Sequence, residues 1–306
     1  MGGRKALAEF EKQKVAGPTS DWAASDRRKV LMKKLLLIFV VLLVLPLLSL
    51  VPQTFAQETQ QSARTPQARS QQEHDDFIAA YAIKGAAAAE KATEDFAARY
   101  PDSALRRYLY SNAMNTYQNE NNPAKMLAMG EKVLALDPDD ALALVLTATA
   151  LADDLGEGDR DRERKIDTIR KNANRAIQRL TTGAVPPTAA VPQQAEIYRT
   201  TLQSMAYSAL GIMELKMRDD AGAEKDLKTA SELEKVRPDP YIWYHLALAQ
   251  DHRKKYAEAL TSVEQALQLS SSIPELQRMA ETEHARLTAL TRNARPANAG
   301  EPEPPQ

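Results

Sequence analysis

The sequence contains no cysteine, which excludes disulfides, thiolate metal sites, a cysteine nucleophile and lipid attachment through an N-terminal cysteine. The redox compartment stays open, because an exported domain with a sufficient core needs no covalent staples. Histidine is almost as scarce: His74, His245, His252 and His284 are the full set, and none is spaced with a second ligand and a carboxylate as a metal site requires. His245 and His252 lie seven apart and are expected as solvated surface residues. No Gly-rich phosphate loop occurs, and no serine sits in a nucleophile-elbow context. No metal, cofactor or catalytic set is therefore expected, and the chain reads as non-enzymatic.

Glycine numbers only 11 in 306 residues and aromatics only 6%, whereas Ala, Leu, Glu, Lys, Arg and Gln run through the chain. These side chains lose little rotamer freedom in a helix, so an all-α protein is expected. With 43% hydrophobic residues there is enough to bury a core. The net charge of -1 conceals an asymmetry: residues 1 to 34 carry nine Lys+Arg against four Asp+Glu, which leaves a balance of -6 for everything after Lys34. A mildly acidic body offers no broad basic face to neutralise phosphates, so nucleic acid is not an expected partner.

The only long apolar run is Leu35 to Val51, 17 residues without a charge, preceded by Arg27-Arg-Lys-Val-Leu-Met-Lys-Lys34. A basic flank and an apolar run mean membrane targeting. A secretory core of ~7–15 residues and a spanning helix of ~20 bracket this length, so a cleaved signal peptide and a retained transmembrane anchor both stay open. Pro46 and Ser49 weaken a spanning helix, and Thr54 and Ala56 suit a cut after Ala56. The stretch from Met32 would serve as a signal peptide by itself, which leaves Met1 or Met32 as the start. In either case the positive flank stays inside and the body is exported, to the periplasm or anchored outside the inner membrane.

Residues 57–73 are polar and lack large apolar side chains, as expected of a flexible linker, and 293–306, rich in proline, reads as a disordered tail. The foldable body is then 74–292, with residues 1–56 forming the extension and signal or anchor. Its helix-period spacing opens with a helix pair through Phe77, Tyr81, Ile83, Ala87, Ala88, Ala92, Phe96 and Tyr100, stopped by Pro101.

Self-similar units follow. Trp243, Leu246, Ala247, Ala259, Val263, Ala266 and Leu269 match Tyr207, Leu210, Gly211, Ala223, Leu227 and Ala230 at the same offsets. An earlier unit has Tyr110, Ala113, Met114 and Tyr117, then Val133, Leu134, Leu136 and Pro138, and departs at Gly130 where a large residue belongs. Between them, Leu144, Ala148 and Leu151 precede a charged insertion, Asp153 to Lys165, after which the second helix is expected to resume at Ala173, Ile177 and Leu180. A proline-bearing connection spans Thr181 to Gln194. Pro274 opens a last helix through Leu276, Met279, Ala280, Leu287 and Leu290, placed to cap the stack.

These units resemble the tetratricopeptide repeat (TPR), a helix-turn-helix unit of about 34 residues. The resemblance covers roughly 107 to 273 and implies an antiparallel helix-pair solenoid that binds protein partners in a groove lined by the first helix of each pair. It places Tyr108, Ser111, Asn115 and Asn119, then Ser208, Ile212, Leu215 and Lys216, then Tyr241, Tyr244, Leu248, Asp251 and His252 in that groove. Family members that clamp a carboxylate use Lys, Asn and Arg there, and only Asn115 fits. A peptide segment is the expected ligand, and the expected role is an envelope scaffold or adaptor. The alternative is a component that binds saccharide or cell-wall fragments on groove tyrosines.

Overall fold

The computed structural model describes residues 67–183 and 192–294. The run Leu35 to Val51, the boundary at Ala56 and the tail beyond 294 lie outside the described residues. Those residues form eleven helices and no strand, and none of the helices is long and apolar enough to cross a membrane. The chain divides between Met129 and Gly130 into two compact units.

The first unit contains α1 (Gln71–Tyr81), α2 (Ala86–Arg99) and α3 (Arg106–Asn119), which pack on one another, and the start of α4 (Pro123–Leu136), which crosses the division. α1 begins inside the segment expected as linker. Ser70 Oγ accepts a hydrogen bond from the Glu73 amide at 3.1 Å, and Glu73 Oε2 accepts one from the Arg69 amide at 2.6 Å, a reciprocal cap on the first turn. Glu73 is only 3% exposed. A hydrogen bond from Ser103, then the Arg69 amide and charge, hold its carboxyl below the usual range against burial. Residues 71–73, expected as the end of a linker, are thus the first turn of α1, because a polar Ser-Gln-Gln-Glu run is a cap as well as a spacer.

The alanine run of α2 buries Ala86, Ala89, Thr93 and Phe96, while Ala87 and Ala88 are exposed. Ala87 and Ala88 are therefore corrected as core positions: equal side chains carry no amphipathic signal, and Thr93 and Phe96 set the face. Gly85, at φ 83°, makes the entry turn, and Glu120 Oε1 caps the helix by accepting from the Ala86 amide at 2.8 Å.

The second unit contains α5 (Ala141–Asp154), α6 (Arg162–Thr181), α7 (Pro192–Lys216), α8 (Asp220–Leu233), α9 (Pro240–His252), α10 (Tyr256–Leu269) and α11 (Pro274–Ala294). α5 pairs with α6, α7 with α8 and α9 with α10, and each pair packs on the next, with α11 covering α10. This is the all-α, TPR-like pairing expected from the repeats. At the α7–α8 crossing a Cβ on Gly211 would stand 2.5 Å from Leu227 Cγ and 3.2 Å from the Ala223 carbonyl, so glycine is what lets the helices meet. Ala247, Ala259, Val263 and Ala266 close α9 on α10, with Ala280 and Leu287 of α11 against them.

The pairs α3–α4, α7–α8 and α9–α10 share one turn. Asn121, Arg218 and Lys254 each adopt positive φ (57°, 63° and 61°), and the next amide donates back to the carbonyl five residues before it: Asn122 to Tyr117, Asp219 to Glu214 and Lys255 to Gln250, all at 2.9 Å. This closes the helix end in the Schellman manner without glycine.

The charged insertion is shorter than expected. α6 starts at Arg162 rather than near Ala173, and buries Ile166, Ile169, Asn172, Ala173, Ala176 and Leu180. Its entry turn is held by Asp159, which accepts from the Gly156 amide at 2.9 Å and from Lys165 Nζ at 2.7 Å.

Candidate partner-binding faces

α9 is fixed first by its cap, since Asp239 Oδ1 accepts from the Tyr241 amide at 2.9 Å and Pro240 opens the first turn. Ile242, Leu246, Ala247 and Ala249 face the core, and buried Gln250 accepts from Ser262 Oγ of α10 at 2.7 Å. Trp243 packs against the clusters on both sides. Tyr244 packs against the α10–α11 cluster, and burial, with Glu283 nearby, pushes its phenol up to about 12. Tyr244 is therefore a packing residue of the capping end. On α9, half-buried Tyr241 and Leu248 and exposed His252 are spaced so that they share one stripe. His252 Nδ1 lies 2.7 Å from Asp220 Oδ1 at the start of α8. Asp251 is tied to Arg286, which also grips Glu283 at 2.7 Å, so Asp251 anchors α11 to α9.

On α7 the expected positions are mostly spent in the core. Ser208 and Ile212 are 9% and 8% exposed, and Ile212 belongs to the cluster of α5, α6 and α7. Leu215 packs on the α8–α9 cluster. Ser208 and Ile212 are corrected as groove residues: α7 touches α5, α6 and α8, so three of its flanks are covered. Lys216 Nζ donates to the carbonyls of Ala152 (2.7 Å) and Asp153 (2.8 Å), and its own carbonyl accepts from Arg162 Nη2 at 2.7 Å. It seals the end of α5, where unpaired carbonyls and the helix dipole favour a cation.

In the first unit, Tyr108 packs on Phe96, Leu105 and Leu109, with the Arg107 guanidinium 4.5 Å from its ring centre. Ser111, Asn115 and Asn119 are half-buried and recur every fourth residue on α3. Asn115 Oδ1 is buried with no hydrogen-bond partner among the described residues, as are both amide atoms of Gln118, itself 1% exposed. Buried amides without partners are uncommon in folded proteins and mark places where water or a ligand completes the bonding. Gln118 is not foreseen from the sequence, although it directly follows Tyr117 on the buried face of α3. Among the described residues no group of three or more potential metal ligands comes together.

No protein-family model and no curated protein sequence matches the chain. Among solved structures it is similar to the MamA RS-1 ArsTM double mutant, at 16% identity over 62% of this chain and 96% of that one, with a TM-score of 0.38. It is also similar to TTC0263, a thermophilic TPR protein in Thermus thermophilus, at 19% identity over 69% and 98%, TM-score 0.40. MamA itself gives 15% identity over 61% and 89%, TM-score 0.35.

Proposed function

We propose that the folded body is a non-catalytic scaffold that binds a peptide segment of another protein, and that the run Leu35 to Val51 delivers it to the cell envelope. The observation that carries this reading is the strip Ser111, Asn115 and Asn119 on α3, where a buried amide oxygen has no partner. The half-buried hydroxyl and amide side chains of that strip carry donors and acceptors for a peptide main chain, whatever its sequence. The stripe Tyr241, Leu248 and His252 on α9 provides separate apolar and aromatic contact, with tyrosine offering large area at low rotamer cost.

The test is affinity isolation of the full-length chain from envelope extract, compared with Asn115→Ala and Leu248→Asp. Both variants are expected to lose the wild-type partner, and Asn115→Ala to keep the wild-type melting temperature, since removing an unsatisfied acceptor costs no native hydrogen bond. Retention of the partner by both variants overturns the assignment. Export is tested separately by mass spectrometry of the native N-terminus, where a start at Gln57 supports cleavage and an intact Met1 or Met32 supports the anchor.

A further inference from the structure

We infer that the exposed flank of α6 is a second recognition site, built for an extended acidic peptide segment of a protein partner. An open cavity of about 610 Å³ is lined there by Asp139, Lys171, Arg175, Gln178, Arg179 and Thr182. Lys171, Arg175 and Arg179 recur every fourth residue and share one face of the helix. From Arg170 to Thr182 the helix end carries four cations and no acid, on a body whose balance after Lys34 is -6.

The site already holds one carboxylate. Arg175 Nε donates to Asp139 Oδ1 at 2.6 Å, and this bond keeps the Asp139 carboxyl below its usual range. The second guanidinium is left short: Arg179 Nε is 3.9 Å from the same oxygen, and it is a buried donor without a hydrogen bond. Lys171 is exposed and makes no ion pair among the described residues. Asp139 thus satisfies one cation of three and demonstrates the group the others would take.

Spacing favours an extended chain. Four helical residues advance ~6 Å, so the three cations form a row ~12 Å long. Alternate residues of an extended peptide lie ~6.6 Å apart on one side, so carboxylates at every second position match that row. A single phosphate would meet one cation and leave most of the cavity unfilled. No aromatic side chain lines the cavity to stack a base, which disfavours single-stranded nucleic acid.

The experiment uses the full-length chain and a fluorescein-labelled peptide of alternating glutamate and serine, long enough to span the row, read by fluorescence anisotropy. Binding is expected to weaken about tenfold between ~0.05 and ~0.5 M salt, and K171E/R179E is expected to weaken it at least about tenfold with unchanged helical circular dichroism. Should that variant fail to fold, K171E alone, at an exposed position, is expected to weaken binding about threefold. Asn115→Ala and Leu248→Asp leave this binding unchanged, so it stands or falls apart from the scaffold reading. Equal binding of a glutamine–serine peptide, full affinity in K171E, displacement by inorganic phosphate alone at millimolar concentration, or tighter binding of a single-stranded oligonucleotide each overturns the assignment.

Discussion

The two compact units are held by different chemistry. In the first, tyrosine hydroxyls clasp carboxylates between helices: Tyr100 donates to Asp76 at 2.7 Å, Tyr110 to Glu94 at 3.2 Å, and Tyr117 to Glu90, which Lys125 Nζ also contacts at 2.9 Å. Burial first, and the carboxylates second, push the Tyr110 and Tyr117 phenols up to about 12, so both stay donors. In the second unit the crossings are closed by shape, with Gly211 under Leu227 and Ala259 beside Val263. The tyrosine clasps depend on the charge state of their acceptors and the close crossings on volume, and perturbing each property separately exposes the difference.

The largest effect is expected from Ala259→Arg. The site is fully buried, so the substitution both overpacks a helix crossing and strands a charge, costing on the order of 4 kcal/mol or more. Hydrogen exchange resolved by segment should show α9 to α11 losing protection while α1 to α3 keep theirs. Equal loss in both units would mean that they unfold together.

Acid should act in opposite directions on the α7–α8 crossing and on the clasps of the first unit. Burial, with Asp226 and Asp219 nearby, raises the Glu214 carboxyl from 4.5 to about 7. Between those values the folded state holds more protons than the unfolded one, so this contribution is complete below 4.5, falls as pH rises, and is gone above about 7. Discounted for partial exposure it amounts to about 1–2 kcal/mol. The first unit has the reverse sign: Tyr100 and then Arg99 hold Asp76 below 3.8, and Glu73 is also depressed, so their stability is present above the unfolded values and lost as pH falls through the folded ones. Exchange rates compared at pH 7 and pH 5 should rank α7–α8 as more protected at the lower pH.

Tyr117→Phe tests the clasp alone and should cost about 1 kcal/mol in chemical denaturation, since Glu90 keeps Lys125 as a partner. The smallest expected effect is a gain. Arg218→Gly and Lys254→Gly relieve side chains held at positive φ and should each stabilise the second unit by about 0.5 kcal/mol, visible as a small rise in melting temperature.

What the sequence discloses follows the same division. Crossings made of a small residue against a large one, such as Leu210-Gly211 with Ala223 and Leu227, are legible because size contrast at fixed offsets survives in one dimension. Ala86 against Ala87 is not, since identical side chains hide the face that tertiary packing selects. The groove residues are placed by one rule, a position on the first helix of each pair, and that rule leaves Tyr241 and Leu248 half-buried and His252 exposed. It fails for Ile212 and Lys216, because the long α7 is covered on three flanks and its terminal lysine is drawn to the end of α5. The basic row of α6 is hidden by the mixed-sign insertion before it: opposite charges cancel in a running count even where three cations and a single acid line the cavity.

Lys216 also offers a chemical clock. With its amine engaged by two main-chain carbonyls of α5, an amine-directed reagent reaches it in proportion to how often that end comes apart, whereas exposed Lys171 is labelled at the rate of an open side chain. The ratio of the two rates would measure the free energy of separating α5 from α7 in the intact protein, with no denaturant and no substitution.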